Sequence, residues 1–450
     1  MRKAVVKILS VLLALAVLAA SASIGAGAIS YKNKVNVKSE SVLMVNMDSN
    51  QVVYEKDPDS KRYPASTTKI MTYIIAVENI DDLENTRIEV KQKLIDQLRN
   101  TGSSLSNMGD HVGKKVRVID LLYSMMVPSG NDAALILADY VGGGDIEKFV
   151  DMMNKKAEEL GCENTHFQNP DGLHHKDHYT TARDLYKITT YALTLPRFME
   201  ICNTTEYTCE GDEYPITTTN YLIDEYRGGQ YYYMYAKGIK TGTTDEAGRC
   251  LVTTASADGY SYILILLGAP YKEGVQEEYF TFYDAADLFR WALVDLELKT
   301  IKTTSTPVCE AKVKYVWGQD KVTLLPERSL NAIVPKDIKP ENIVVDTDIP
   351  EEIEAPLYTD KSVGTATVYY VDSSGGEKQK IATVNLVPEQ QLERSAILVV
   401  LDVFGTIWRS AWFLIVIGVI VLIVVIYIIA AKIHRAKVRK KRQVKRYRNF

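Results

Sequence analysis

The chain has 450 residues, of which 46% are hydrophobic and 24% are charged, a composition that excludes a disordered or low-complexity protein. The formal net charge of −4 conceals a split, because 13 of the 53 basic residues lie in the first 28 and last 19 positions, whereas all 57 acids lie between them. The resulting excess of roughly 17 acids in the central part disfavours nucleic acid as a partner.

Residues 1–28 have the three parts of a secretory signal peptide. Basic MRKAVVK precedes the apolar run ILSVLLALAVLAA, and the small residues SASIGAGA follow. This order predicts export, with cleavage after Ala22 or Ala28. An uncleaved membrane anchor is the alternative, which the shortness of the apolar run disfavours.

Hydrophobic periodicity predicts the elements between residues 35 and 296. Two strands are expected in 40–57 around the turn Asp48-Ser49-Asn50. Helices are expected over 66–80, 116–126, from 131 onward, 145–160, 181–195 and 278–296. Three further strands are expected in KGIKTGTT, RCLVTTASA and YSYILILLGAP, the last two joined at Asp258-Gly259. We therefore predict one α/β domain whose sheet combines strands from both of its ends.

The next part of the chain is predicted to be a linker and a small all-β domain. KTIKTTSTP, residues 299–307, has the composition of a linker. Short alternating segments separated by turn residues then continue to about residue 390. We expect residues 299–390 to form a β-rich C-terminal domain that acts as a spacer or adaptor.

The C-terminal 59 residues predict membrane attachment. Residues 392–410 mix apolar and charged side chains, as in an amphipathic helix on a membrane surface. Residues 411–431 contain no charge and are long enough to cross a bilayer. The tail, 432–450, carries ten Lys or Arg and no acid, which predicts that it stays in the cytoplasm. Such a tail can also bind nucleic acid, but membrane topology already explains its charge.

Five cysteines, Cys162, Cys202, Cys209, Cys250 and Cys309, show no regular spacing. The odd count argues against a disulfide framework, although Cys202 and Cys209 are near enough in sequence to pair. Packing residues or free thiols are the favoured interpretation, and nothing resembles a zinc knuckle.

Three short motifs have the residue types of nucleophilic catalysis. Ser66 and Lys69 lie three residues apart on a predicted helix, so a neutral lysine can take the serine proton. Ser129-Gly130-Asn131 lies in a break between helices, where a hydroxyl can relay a proton and an amide can hold a carbonyl. Lys240-Thr241-Gly242 lies in a strand and offers a cation, a hydroxyl and close backbone approach. Each motif is weak alone, and the second also fits an N-capped turn.

In this order, the three motifs resemble those of the penicillin-recognising serine enzymes. PASTTKIMT, GSSLSNMGDHV, VRVIDLLYSMMVPSGNDAALILADYV, THFQNPDGLHHKDHYTTARDL and KGIKTGTTDEAGRCLVTTA are similar to stretches of the D-alanyl-D-alanine carboxypeptidases, the low-molecular-mass penicillin-binding proteins. The likeness covers residues 35–296. It implies a serine β-lactamase/transpeptidase-like α/β domain, an antiparallel sheet flanked by helices, followed by a small all-β domain and a C-terminal transmembrane helix.

The resemblance implies a serine carboxypeptidase that removes the terminal D-alanine from peptidoglycan pentapeptides through an acyl-enzyme, without metal or other cofactor. Ser66 would be the nucleophile, Lys69 its base, and Ser129 the relay of a proton to the departing D-alanine. The substrate-binding residues would be Asn131, Lys240, Thr241, Gly242 and Thr243, with Thr241 at the terminal carboxylate. Backbone N–H groups of Ser66 and Thr243 would form the oxyanion hole. Implied partners are stem peptides ending in D-Ala-D-Ala, β-lactam antibiotics as inhibitors, and the membrane.

One position departs from the family pattern. Many relatives have an arginine directly before the asparagine of the segment that is TTTNYLI here, where it helps to bind the carboxylate. This chain has Thr219 at that position, before Asn220. Arg249 and Arg227 are the two candidate substitutes, and the departure bears on substrate selectivity rather than on the chemistry.

Three other functions compete with this hypothesis. His174 and His178 have the i, i+4 spacing of some zinc peptidases, with His166 and His175 nearby, but H-E-x-x-H is absent from the sequence. A class A β-lactamase would have S-D-N where this chain has Ser129-Gly130-Asn131, and no E-x-x-L-N segment is convincing. A wall-binding protein or penicillin sensor that keeps only the fold would not need the intact motifs. The aromatic run YYYMY, 231–235, is interpreted as packing beside the cleft rather than as a ligand platform.

Overall fold

A computed structural model describes residue 31 and residues 35–273, 276–371 and 378–446. The predicted signal peptide and its cleavage positions lie outside these residues. The described residues divide into two compact units. One contains the chain up to Ile301 together with Leu330–Asp346 and Thr367–Thr383. The other contains Lys302–Ser329, Thr347–Ala366 and the chain from Val384 onward.

The strands and helices are numbered in chain order. The strands are β1 Ser41–Asn46, β2 Gln51–Lys56, β3 Arg87–Glu89, β4 Lys115–Arg117, β5 Glu206–Tyr207, β6 Ile216–Thr217, β7 Ala236–Thr244, β8 Gly248–Ala257, β9 Tyr260–Ala269, β10 Lys272–Glu273, β11 Gln276–Glu277, β12 Leu296–Lys302, β13 Cys309–Lys314, β14 Lys321–Pro326, β15 Leu330–Pro335, β16 Ile343–Asp348, β17 Glu352–Glu354, β18 Gly364–Tyr370 and β19 Gln379–Pro388. The helices are α1 Lys69–Asn79, α2 Gln92–Asp96, α3 Val118–Met126, α4 Asn131–Val141, α5 Ile146–Glu159, α6 Ala182–Ala192, α7 Phe198–Cys202, α8 Phe280–Asp295, α9 Ala396–Arg409 and α10 Ala411–Arg446. Four short 3-10 helices are Ala65–Thr68, Met108–His111, Gly229–Tyr231 and Pro340–Asn342.

The main sheet of the first unit has five antiparallel strands in the order β2-β1-β9-β8-β7. Strand β1 is buried along its whole length and pairs with β9, so Met44 lies opposite Leu264. These two apolar strands are far apart in sequence, and burial on both faces holds them in the centre of the sheet. The prediction that the sheet combines both ends of the domain is confirmed.

Helix α1 lies in the middle of the helical layer. It packs against α4, α5 and α6, and its side chains from Lys69 to Ala76 are all buried. A helix that is apolar on nearly every side has to be surrounded by other elements. The first turn of α1 is therefore held firmly, and it carries Lys69 at the edge of the core.

Two element predictions need correction. Residues 115–117 form a strand paired with 87–89, so the helix expected at 116 begins at Val118. Residues 296–302 form β12, which pairs with β15, so the first part of the expected linker 299–307 is a strand. In both cases a backbone partner distant in sequence decided the conformation of a short segment.

The remaining large sheet has six strands in the order β16-β18-β19-β14-β13-β17. The alternating segments expected beyond residue 310 contain the strands β13, β14, β16, β18 and β19 of this sheet. Strand β14 pairs antiparallel with β13 and with β19, whereas β13 and β17 are parallel, with Val313 opposite Ile353. Strand β17, only three residues long, was not expected from the sequence.

Two helices follow at the C-terminal end. Helix α9 occupies most of the predicted amphipathic segment 392–410, and its apolar side chains such as Phe404 and Trp408 are largely exposed. Helix α10 contains the predicted span, and residues Trp412–Arg439 are long and apolar enough to cross a membrane. The candidate span is exposed rather than packed in a core.

Candidate active site

The Ser66 hydroxyl is held on a tight turn that leads into α1. Ala65 has a positive φ of 48°, which is unusual for a residue with a side chain. Two flanking hydroxyls stabilise the turn, because Thr67 Oγ1 donates to Pro64 O at 2.6 Å and Thr68 Oγ1 donates to Ala65 O at 2.8 Å. Neighbouring elements must impose this conformation on Ala65, since the backbone does not prefer it.

Lys69 is fully buried, and its amine has three oxygen neighbours. Its Nζ lies 2.9 Å from Ser66 Oγ, 2.6 Å from Asn131 Oδ1 and 2.6 Å from the backbone oxygen of Asp171. Burial lowers the pKa of Lys69 to about 8, against the opposing influence of Asp171 and Asp132. A buried cation is costly, so this site makes the neutral amine accessible near physiological pH.

The geometry around Lys69 also suits the neutral amine. A neutral amine has two N–H donors and one lone pair. Asn131 Oδ1 and Asp171 O, the two neighbours at 2.6 Å, take the two donors. The lone pair is then left to accept the hydroxyl hydrogen of Ser66 at 2.9 Å. A neutral amine placed in this way can take the proton of a serine hydroxyl and so activate it as a nucleophile.

Ser129-Gly130-Asn131 forms the break between α3 and α4. Ser129 has a φ of 66°, and Asn131 begins α4 with its N–H donating to Ser104 O at 2.9 Å. Gly130 is required by packing, because a Cβ there would lie 2.5 Å from Ser106 Oγ and 2.7 Å from Ser124 O. The S-G-N form of the motif thus follows from the close approach of the 104–106 loop.

The 104–106 loop is held by Asp132, in the first turn of α4. Its carboxylate accepts hydrogen bonds from Ser106 N, Ser106 Oγ and Met108 N, at 2.7 to 3.0 Å. Asp132 is 1% exposed, so these donors replace the water that a carboxylate otherwise needs. The loop and the S-G-N turn therefore form one rigid wall.

The Lys240-Thr241-Gly242 strand lies against the Ser66 turn. A Cβ on Gly242 would approach Pro64 O to 3.0 Å and Ser66 N to 3.1 Å, so the glycine permits this close contact. Thr241 Oγ1 lies 2.6 Å from Thr219 Oγ1. Lys240 is 1% exposed and its Nζ donates to Thr241 O at 3.1 Å. The pKa of Lys240 is held well below its usual value. Burial is the largest cause, and the charge of nearby Lys69 is the second.

A cavity of about 300 Å³ opens over these motifs. Its walls carry hydroxyls, one arginine and several aromatic rings: Ser66, Ser104, Ser129, Thr217, Thr218, Thr219, Tyr221, Thr241, Gly242, Thr243, Arg249, Cys250, Tyr279, Thr281 and Phe282. Five of the eight residues predicted from sequence, Ser66, Ser129, Thr241, Gly242 and Thr243, are among them. The other three, Lys69, Asn131 and Lys240, are buried and are not part of the lining.

Sequence reasoning missed two features of the site. The first is the backbone oxygen of Asp171, which accepts from Lys69. The sequence Pro170-Asp171-Gly172 indicated only a loop, although its glycine is the kind of signal that marks a close backbone approach. The second is an aromatic wall formed by Tyr221, Tyr279 and Phe282, which no motif indicated.

Arg249 and Arg227, the two candidates to replace the arginine that relatives have at position 219, lie in different surroundings. Arg249 lines the cavity, and its guanidinium lies 3.6 Å from the ring centroid of Tyr279. Arg227 does not line the cavity. It forms ion pairs with Asp224 at 2.7 Å and Glu206 at 2.9 Å.

The histidines of the proposed zinc alternative have other contacts. His178 is buried, and burial lowers its pKa to about 3, so the ring is neutral. Because Thr68 Oγ1 already donates to Ala65 O, it accepts from His178 Nε2–H at 2.8 Å. This bond ties the Ser66 turn to the loop that carries Asp171. Among the residues that the structure describes, no group of three or more His, Cys, Asp or Glu side chains is placed to hold a metal ion.

All five cysteines are free thiols, and four of them are buried. The local pairing of Cys202 with Cys209 is therefore not formed. Cys250 lines the cavity, but burial raises the pKa of its thiol to about 12, so the thiolate is not favoured.

The fold is that of the penicillin-binding proteins. Penicillin binding protein 5 from Haemophilus influenzae matches with a TM-score of 0.61 over 81% of this chain and 100% of its own, a likeness at 23% identity that concerns the fold alone. The D-alanyl-D-alanine carboxypeptidase DacD from Francisella tularensis gives a TM-score of 0.61 at 25% identity, over 83% of this chain and 98% of its own.

Sequence comparison is more specific. The family model for D-alanyl-D-alanine carboxypeptidase matches residues 28–271, more than half of the chain. DacF of Bacillus subtilis is 28% identical over 73% of this chain and 80% of its own length. The D-alanyl-D-alanine carboxypeptidase of Streptomyces sp. strain K15 is 31% identical over 56% of this chain and 88% of its own length. The chain belongs to the D-alanyl-D-alanine carboxypeptidase family, which confirms the family and the class of enzyme predicted from the motifs.

Proposed function

We propose that this protein is a membrane-anchored serine carboxypeptidase that removes the terminal D-alanine from peptidoglycan stem pentapeptides. The observation that carries the proposal is the contact between Lys69 Nζ and Ser66 Oγ at 2.9 Å, beneath a cavity lined by all three motifs. Trimming the pentapeptide removes the donor bond for later cross-linking, so the enzyme acts in maturation of the wall.

Acylation begins with Ser66. Its Oγ attacks the carbonyl carbon of the D-Ala-D-Ala peptide bond while its proton passes to the neutral amine of Lys69. The tetrahedral oxyanion is stabilised by the backbone N–H groups of Ser66 and Thr243, since Gly242 lets β7 approach Ser66 N. Removing one such donor typically costs about 2.7–4 kcal/mol of transition-state stabilisation.

The C–N bond then breaks, and the D-alanine amine leaves with a proton delivered through Ser129. The resulting ester on Ser66 is hydrolysed by water, which regenerates the hydroxyl. Asn131 orients Lys69 and the substrate, Lys240 contributes to the electrostatics beside Lys69, and Thr241 contacts the terminal carboxylate. A β-lactam acylates the same hydroxyl and acts as an inhibitor.

The chain is also proposed to be exported and anchored with its catalytic domain outside the cytoplasm. Residues 1–28 serve as the signal peptide, 411–431 as the transmembrane helix and 432–450 as the cytoplasmic tail. The apolar, exposed character of α10 supports the span, and ten basic residues support the side on which the tail lies. The β-rich part, 299–390, is proposed as a spacer, and 392–410 as the segment that lies on the outer membrane surface.

Release of D-alanine tests the proposed reaction. The full chain in detergent is incubated with an acetylated tripeptide that ends in Lys-D-Ala-D-Ala, and free D-alanine is measured for the wild type and for Ser66→Ala. We expect release from the wild type alone. Equal release from both forms would exclude Ser66 as the nucleophile, and release from neither would exclude the activity.

A further inference from the structure

His178 is a buried, neutral histidine whose two ring nitrogens have different roles. The residue is 2% exposed, and burial lowers its pKa to about 3. The backbone N–H of Gln168 donates to Nδ1 at 3.2 Å, so this nitrogen is the acceptor. The neutral ring then carries its hydrogen on Nε2, which donates to Thr68 Oγ1 at 2.8 Å. An edge-to-face contact with Phe167, with the ring centroids 5.6 Å apart, supports this orientation of the imidazole.

The Thr68 hydroxyl continues this series of hydrogen bonds to the backbone of the Ser66 turn. It donates to Ala65 O at 2.8 Å. The Ala65 carbonyl and the Ser66 N–H belong to one planar peptide group. Hydrogen bonds in series polarise one another, and a donor on the oxygen of an amide makes its N–H a stronger donor. Three bonds therefore run in one direction, from Gln168 N–H to the peptide group that carries Ser66 N–H.

The 65–66 peptide group also needs to be held in place. Ala65 has a φ of 48°, a conformation that its backbone does not prefer. Two glycines allow close approach to this group, because a Cβ on Gly172 would lie 2.0 Å from Ala65 O and one on Gly242 would lie 3.1 Å from Ser66 N. A rotation of the peptide group would move the N–H that is proposed to contact the oxyanion.

We propose that His178 is a positioning residue that acts through Thr68 to orient and polarise the 65–66 peptide group, so that Ser66 N–H stabilises the oxyanion. His178 and Thr68 lie outside the cavity lining, so neither is assigned a contact with the reacting atoms. The inference rests on the proposed function, because the oxyanion forms from the D-Ala-D-Ala carbonyl. The competing interpretation is a structural link between loop and turn, which would depend on both bonds of the imidazole.

Two amide side chains that each copy one half of the imidazole separate these interpretations. In His178→Gln, the side-chain N–H can reach the position of Nε2 and donate to Thr68, but the acceptor for Gln168 N–H is lost. In His178→Asn, the side-chain oxygen can take the position of Nδ1 and keep the Gln168 bond, but the donor to Thr68 is lost. The kcat and KM of the full chain in detergent are measured on the acetylated Lys-D-Ala-D-Ala tripeptide.

We expect His178→Asn to lower kcat by roughly 10-fold, between the loss of one neutral hydrogen bond and the loss of a whole oxyanion donor. Its KM should stay within about twofold of the wild type, because the oxyanion forms only in the transition state. His178→Gln should keep kcat within about threefold, since it retains the donor to Thr68.

Thr68 variants repeat the test one step closer to Ser66. Thr68→Val nearly keeps the shape of the side chain but leaves Ala65 O without the hydroxyl donor, so kcat should fall as in His178→Asn. Thr68→Ser keeps the hydroxyl and should retain most of kcat. A peptide boronic acid that forms a tetrahedral adduct on Ser66 Oγ supplies a second readout. Its Ki should rise by about the factor by which kcat/KM falls, whereas a loss of folded protein lowers kcat and leaves Ki unchanged.

Equal kcat in His178→Asn and His178→Gln, or a loss that appears only in KM, would overturn the proposal. If His178→Asn does not fold, as judged by its melting temperature, the Thr68 pair decides alone, and equal kcat in Thr68→Val and Thr68→Ser would overturn it. If the wild type releases no D-alanine, the proposed function fails, which is a different result.

Discussion

At the scale of single residues, the site depends on a lysine placed where its charge is disfavoured. Lys69 is fully buried among Ser66, Asn131 and Asp171, and two close oxygen acceptors leave its lone pair facing the serine. The same burial that makes the ammonium costly makes the amine available as a base. Asn131 and Asp171 thus set the orientation of the amine.

The pKa of Lys69 predicts the pH dependence of the reaction. Lysine is a base only when it has lost its proton, and burial lowers its pKa to about 8. We expect kcat/KM for the tripeptide to rise with pH through a one-proton step near pH 8 and to level off above it. The measurement is a pH profile of D-alanine release by the full chain.

Lys69→Arg serves as the control for this profile. An arginine stays protonated throughout this range, so we expect its kcat/KM to fall by a factor on the order of 10²–10⁴ and to show no such step. A wild-type profile that is flat or falls between pH 7 and 9 would rule out a neutral Lys69 as the base.

At the scale of structural elements, the 170–172 turn holds the Lys69 amine in place. Asp171 O accepts from Lys69, and His178 ties the same loop to Thr68. Gly172 has a φ of 86°, and a Cβ there would lie 2.0 Å from Ala65 O and 2.9 Å from Ser66 N. Only glycine allows the loop to approach the Ser66 turn this closely.

Gly172→Ala should therefore affect the reaction more than a typical glycine substitution. The methyl group has to push the loop away from Ser66, and a displacement near 1 Å is expected to reduce kcat/KM by roughly 10²-fold. Gly161→Ala is the matched control, because Gly161 also has a positive φ, 72°, but has no atom within 4 Å of the added Cβ.

The two variants share the cost of the left-handed backbone, roughly 1–2 kcal/mol of stability. Gly161→Ala should lower the melting temperature and leave kcat/KM within about twofold of the wild type, since it lies outside the cavity lining. Equal activity of the two variants, measured where both remain folded, would show that the approach of Gly172 to Ser66 has no catalytic importance.

At the scale of the whole molecule, the long periodic elements and the three motifs were predictable from sequence. Strong hydrophobic periodicity predicted β1, β9 and α1. The order of the three motifs predicted that Ser66, Ser129 and Thr241 lie together, and they line one cavity. Short elements such as β4 and β12 were not predicted, because a distant strand decides their conformation.

The parts of the site that lack a motif were also not predictable. Tyr279 belongs to a helix-like stretch of sequence, and nothing local indicates that it stacks on Arg249 across the cavity wall. Likewise, the need for Gly130 arises from Ser106, which lies 24 residues earlier in the chain. Such contacts depend on packing between elements, which a single sequence does not display.

Membrane attachment gives a prediction for the complete chain. The full chain should stay in the membrane pellet after extraction with alkaline carbonate, because the proposed span, residues 411–431 of α10, would bury its apolar side chains in the bilayer. A chain that ends at residue 410 should be extracted, since it keeps only α9, which is proposed to lie on the membrane surface. Immunoblots of pellet and supernatant measure the partition. Extraction of the full chain, or retention of the shortened one, would contradict anchoring by α10.

The central claim is that Ser66, activated by Lys69, forms a covalent acyl-enzyme, and peptide mapping after reaction with benzylpenicillin tests it most directly. Trypsin cleaves after Arg62 and Lys69, so the peptide YPASTTK contains the proposed nucleophile. We predict one penicilloyl group on this peptide, located at Ser66 by fragmentation and absent from Ser66→Ala. An adduct on any other residue, or no adduct on a preparation that releases D-alanine, would contradict the account.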